Sequence, residues 1–243
     1  MRKVLRPVVG SMENDKRSAG EGRVQAWGCM PAGRVMEGGL DMRLPSARLA
    51  CAFGGMRISG GAARGVTLDV PKGDAVRPAT DGMRQAVFSS LGARVNGARF
   101  VDLFAGSGAY GLEAFSRGAA GGLFVEQSAK AAVCIRRNIA AVAKSAGRAE
   151  AELGLLTGDA LAWRPAAGAA RPDLVFVDPP YPIIEEIAPR LFAGLAEALE
   201  GVADPLIVFE LPGEIELAPA GWVCRKRLGK GVRQPTVAFF IRA

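Results

Sequence analysis

From residue 99 onward the chain alternates between two hydrophobic periods. Short continuous apolar runs occur as RFVDLFA (99–105), GGLFVE (121–126), AELGLLTG (151–158), DLVFVD (173–178) and PLIVFEL (205–211). Each reads as a buried strand, and the segments between most of them carry helical spacing. After Ser128, the residues Ala131, Ile135, Ile139 and Val142 form one stripe with Arg136 and Arg137 on the far side, which predicts a helix to about Lys144. Further helices are predicted from Asp81, as N-cap, to about Leu91 and from Ala109 to Arg117. Ile187, Leu191, Leu195 and Leu199 share a face of another, and Pro189, tolerated in a first turn, predicts its start near Glu186. The chain closes with GWVCRKRL and PTVAFFIRA around the turn GKGVRQ.

Strands that are apolar throughout and alternate with helices predict a parallel sheet covered on both faces, and a last strand pair with no helix between them predicts an antiparallel edge. The expected fold class is therefore α/β: a doubly wound, mostly parallel, seven-stranded Rossmann-like sheet with an antiparallel terminal pair. MRISGGAARGVTLDVP, from Met56, predicts an amino-terminal β-hairpin around Gly60 and Gly61. Residues 1–55 carry neither period and predict a disordered extension, read either as a basic arm or as sequence upstream of a start at Met56. The expected organisation is 1–55 extension, 56–75 hairpin and 76–243 catalytic domain.

Composition narrows the chemistry. The 243 residues contain no histidine, which excludes imidazole bases, Ser/His/Asp triads and His-ligated metals. Cys29, Cys51, Cys134 and Cys224 lie far apart, against a zinc ribbon or a disulfide framework, and no metal is expected. The net charge is +7, with nine Lys/Arg and five Asp/Glu in residues 1–55, so the remainder is only mildly basic. That balance suits a polyanionic partner without requiring one. No run approaches a membrane span, so a cytoplasmic protein is expected.

Gly106-Ser107-Gly108-Ala109-Tyr110-Gly111 follows a strand and opens a helix, in the pattern GxGxxG, with Glu126 ending the next strand 20 residues after Gly106. Such a loop brings backbone N–H groups close to a nucleotide, and the acid suits a ribose diol. Asp102, at the end of the first strand, would repel a pyrophosphate but welcome a cationic amino-acid group. Asp159, after the third strand, can accept from an adenine amine. Three acids at three successive strand ends favour S-adenosylmethionine over a nicotinamide dinucleotide.

The run LVFVDPPYP (174–182) ends a strand in Asp178-Pro179-Pro180-Tyr181. A conjugated amine is a poor nucleophile, and two hydrogen-bond acceptors on its N–H groups stabilise the charge it develops on attack. Asp178 supplies one acceptor and the Pro179 carbonyl the other, held in place by the ring constraints of Pro179 and Pro180. Tyr181 offers a face for a flipped base. The quartet reads as a clamp for a planar group bearing NH2.

Together with "MRISGGAARG", "RPATDGMRQAVFSSL" and "VDLFAGSGAYGLEAFSRGA", the quartet resembles the RsmD family, bacterial methyltransferases of guanine N2 in small-subunit ribosomal RNA, over residues 56–243. The resemblance implies S-adenosylmethionine contacts at Asp102, Phe104, Gly106, Gly108, Glu126, Asp159 and Thr80, and target contacts at Asp178, Pro179, Pro180 and Tyr181. It implies 16S rRNA or the small ribosomal subunit as partner, contacted by Arg57, Arg64, Arg77 and Arg84, and a monomer is expected. Ala79, Gly82 and Gln85 depart from the family pattern in the stretch bordering the site. An adenine- or glutamine-directed methyltransferase, a nicotinamide oxidoreductase and a non-catalytic RNA binder are the alternatives; the second leaves DPPY unexplained, and the third predicts no need for Asp102 or Asp178.

Overall fold

A computed structural model describes residues 55–71, 81–229, 231 and 234–243. Among them one sheet holds seven strands: β1 (Arg99–Leu103), β2 (Gly121–Glu126), β3 (Leu153–Thr157), β4 (Leu174–Val177), β5 (Leu206–Pro212), β6 (Trp222–Leu228) and β7 (Pro235–Arg242). The spatial order is β3-β2-β1-β4-β5-β7-β6. β1 to β5 pair in parallel, and β7 runs antiparallel to both β5 and β6. The chain reverses direction across the sheet between β1 and β4, where doubly wound folds collect ligands at the carboxyl ends of the strands.

Side chains alternate across the strands and build two cores. One face packs Phe100, Phe124 and Phe176 against α1 (Asp81–Leu91), α2 (Ala109–Ser116) and α3 (Ala129–Ala146). The other packs Val101, Val175 and Phe209 against α4 (Ile184–Ala198). In α3 the buried residues Ala131, Ile135, Ile139 and Val142 are the predicted stripe; Ser128 caps the start by accepting from Ala131 N–H, and Gly147 closes the end in the left-handed region. Residues 56–68 fold back as a hairpin in which Arg57 and Thr67 form an antiparallel bridge.

Two boundaries differ from expectation. Asp81 opens α1 as its first helical residue and directs its carboxylate at Arg84. α4 begins at Ile184, after a 3₁₀ turn over Tyr181–Ile183, so Pro189 lies in the second turn. Its missing N–H removes one helical bond, but Ile184, Ile187 and Ala188 in the turn before it are buried against the sheet. Burying each large aliphatic side chain contributes about 1.5–3 kcal/mol, enough to hold the extra turn.

Candidate active site

The glycine loop begins where β1 ends. Phe104 takes φ 58°, a left-handed conformation that costs a non-glycine residue of order 1–3 kcal/mol. The loop then needs left-handed backbone again at Gly106 (φ 55°) and at Gly108 (φ 77°), which caps α2. Two carboxylates hold it. Asp102, 2% exposed, accepts the Gly111 N–H at 2.9 Å. Glu126 accepts the N–H of Gly106 at 2.8 Å and of Ser128 at 2.7 Å, which leaves lone pairs on both oxygens. From behind, the Asn138 side chain donates to the Ser107 carbonyl at 2.9 Å.

The Asp178–Tyr181 turn leaves β4 beside this loop, and the Asp178 N–H points to the Leu103 carbonyl at 3.4 Å. Asp178 keeps a partial opening to the surface, Pro179 is buried and Pro180 is exposed. One residue past the pairing of Val177 with Phe209, Asp178 and Glu210 stand level on adjacent strands. Glu210, 1% exposed, accepts from the Tyr110 hydroxyl at 2.8 Å and faces the Tyr181 hydroxyl at 3.5 Å. The Tyr110 ring stacks on Phe176 with centroids 5.6 Å apart.

The electrostatics follow from three acids under one roof. Burial pushes the Asp102 carboxyl up to about 8, against the Gly111 N–H, with the Glu126 charge adding to the rise. Asp178 is raised well above the ordinary carboxylate range by desolvation, then by Glu210 and Asp102. Glu210 is raised by burial, in opposition to the two tyrosine hydroxyls and Arg84. Burial and the charges of Glu210 and Asp178 drive the Tyr110 phenol upward.

Asp102, Phe104, Gly106, Gly108, Glu126 and the Asp178–Tyr181 turn thus come together at the carboxyl ends of β1, β2 and β4. Asp102 is closed off beneath the loop, and its carboxylate orders Gly111. Asp159 is exposed after β3 and caps a short turn through Leu161 N–H at 2.9 Å. Arg57 and Arg64 are exposed on the hairpin. Arg84 corrects the expectation of an RNA contact: it is wholly buried, bonded to the Arg57 carbonyl at 2.7 Å and to Asp81 at 2.5 Å. Its place on the face shared by Val87, Phe88 and Leu91 turns it inward. Arg77 and Thr80 lie outside the described residues. Tyr110 and Glu210 are functional candidates beyond those predicted; Glu210 carries the signal that singled out Asp102, a lone acid near the carboxyl end of an apolar run.

The strand order, the glycine loop after β1 and the acid-proline turn after β4 define a class I methyltransferase, whose cofactor is S-adenosylmethionine. The described residues fit that cofactor: Glu126 retains lone pairs for hydroxyls, and the crowded carboxylates favour a cationic neighbour over an anionic one. The chain belongs to the RsmD family, whose model, described as Conserved hypothetical protein 95, matches residues 56–233. Ribosomal RNA small subunit methyltransferase D of Escherichia coli (strain K12) is 33% identical over 174 residues, covering 70% of this chain and 82% of that one. Among solved structures, yhhF from Escherichia coli superposes with a TM-score of 0.63 at 30% identity, over 77% of this chain and 97% of that one. A hypothetical protein of Thermus thermophilus gives a TM-score of 0.57 at 30% identity, over 76% and 98%. No helix among the described residues is long and apolar enough to cross a membrane.

Proposed function

We propose that this protein methylates the exocyclic N2 of a guanine in 16S rRNA of the small ribosomal subunit. The observation that carries the reading is the bond from the Asp178 N–H to the Leu103 carbonyl, which ties the acid-proline turn to the root of the glycine loop. An acceptor for an amine therefore stands beside the loop of the methyl donor. The relatives named Ribosomal RNA small subunit methyltransferase D supply the substrate class.

Bound S-adenosylmethionine supplies a methyl group on positively charged sulfur. Glu126 hydrogen-bonds hydroxyl groups through its remaining lone pairs, and Asp102 keeps the loop in register through Gly111. Asp178 accepts one N–H of the target amine and the Pro179 carbonyl accepts the other, so the nitrogen lone pair is freed from conjugation. Asp178, already pushed upward, would take the proton that the amine releases as the methyl group exchanges its bond to sulfur for one to nitrogen, the sulfur leaving as a neutral thioether. The Tyr181 ring supports the base, a stack worth about 1–3 kcal/mol. Arg57 and Arg64 meet phosphates at the exposed hairpin, which makes binding salt-dependent.

The test supplies methyl-labelled S-adenosylmethionine with small ribosomal subunits, naked rRNA, duplex DNA and release-factor protein. Label at guanine N2 of 16S rRNA is expected. Label on adenine or on protein alone would replace this reading with that of another amino-methyltransferase.

A further inference from the structure

The chain contains two tyrosines, and the hydroxyls of both face the same carboxylate. Tyr110 belongs to the glycine loop and Tyr181 to the turn after β4, so Glu210 stands between the two halves of the site. Nothing in strand packing calls for an acid there. The other six residues of β5 are apolar and buried, and an ionised carboxylate in such a setting costs several kcal/mol unless partners compensate it. The partners are specific: a 2.8 Å bond from Tyr110, a 3.5 Å contact from Tyr181, and the charge of buried Arg84, whose guanidinium is fixed by Asp81 and the Arg57 carbonyl.

We propose that Glu210 is a positioning residue of the methyl-transfer site, a brace that holds the glycine loop and the Asp178–Tyr181 turn in one geometry. The inference rests on the proposed methylation. Glu210 reaches the target through two other residues. Through Tyr181 it fixes the tilt of the ring under the base. Its negative charge, level with Asp178 across β4 and β5, makes Asp178 the stronger proton acceptor. Asp102 contributes in the same sense from β1, while Arg84 and the hydroxyls favour the ionised form of Glu210.

Glu210→Gln tests the brace with little change of shape: the amide oxygen can still accept one hydroxyl, but the charge is gone. The expected kcat is about 10- to 100-fold lower, the loss associated with slight misplacement of reacting groups, with cofactor KM within about threefold of wild type. Without the Glu210 charge, Asp178 loses its proton at lower pH, so the acid limb of the kcat profile moves to lower pH. Glu210→Asp, which restores the charge on a shorter stem, is expected to return the acid limb but only part of kcat. Independently of turnover, the tyrosinate absorbance titration of folded protein follows the two phenols. Tyr110 is expected to ionise at lower pH in Glu210→Gln than in wild type. An unmoved titration would overturn the brace whatever the activity, and a moved titration with unchanged kcat and pH profile would overturn the positioning role. A titration that moves in Glu210→Gln, together with a wild-type protein that labels no nucleic acid, would overturn the methylation reading, and the positioning role with it, while leaving the brace.

Discussion

At the scale of single residues, the site divides its acids by what they touch. Glu126 engages the loop and retains capacity for a ligand, whereas Asp178 faces the neighbouring acids at the end of β4. Removing one should therefore leave the other's task intact. Asp178→Ala is expected to bind S-adenosylmethionine near normally by calorimetry while turnover falls about 10²–10⁴-fold, the usual contribution of a positioned base. Glu126→Ala is expected to do the reverse at saturating cofactor: affinity falls at least about tenfold, because the proposed ribose contact and the anchors of Gly106 and Ser128 vanish together, a loss of about 1.4 kcal/mol or more. If Asp178→Ala loses cofactor affinity instead, that carboxylate belongs to the cofactor half of the site.

At the scale of elements, the apolar runs marked β1, β2, β4 and β5, because strands buried on both faces leave an unbroken hydrophobic trace. The carboxyl-end acids Asp102, Glu126 and Asp178 were legible for the same reason: a lone charge interrupts that trace. The motif around Arg84 points to RNA, but the spacing 84, 87, 88, 91 puts the residue on the buried face of α1. The link from Tyr110 to Glu210 spans 100 residues and depends on the alignment of β4 with β5, which no local period encodes. Packing also explains the glycine that the loop needs for space. A Cβ at Gly111 would collide with the rings of Phe124 and Phe100, so α2 can approach β1 and β2 only without it. Gly111→Ala should therefore destabilise the fold by about 1–3 kcal/mol in urea titration, as overpacking does. It should also weaken cofactor binding by displacing the N–H that Asp102 accepts.

For the molecule as a whole, the buried acids make stability run against pH. Asp102 has its carboxyl pushed from 3.8 to about 8, and Asp178 and Glu210 are displaced in the same direction. In the unfolded chain Asp102 ionises near its ordinary value, so between about pH 4 and about pH 8 this group binds fewer protons in the unfolded state than in the folded one. The stabilising contribution of the protonated Asp102 carboxyl is complete below pH 3.8 and is lost as pH rises through about 8. Each such group tilts the curve by up to about 1.4 kcal/mol per pH unit. The urea midpoint of the ligand-free protein is expected to fall across that interval, and Asp102→Asn should flatten the slope by one group's share. A cationic ligand acts in the opposite sense, since positive charge near the cluster favours ionised carboxylates and lowers their affinity for protons. S-adenosylmethionine binding at neutral pH should therefore release protons, visible as a binding enthalpy that changes with the ionisation enthalpy of the buffer. S-adenosylhomocysteine, which lacks the sulfonium charge, should release fewer. Equal proton release by the two ligands would separate the acid cluster from the sulfonium and leave its pH dependence a property of the fold alone.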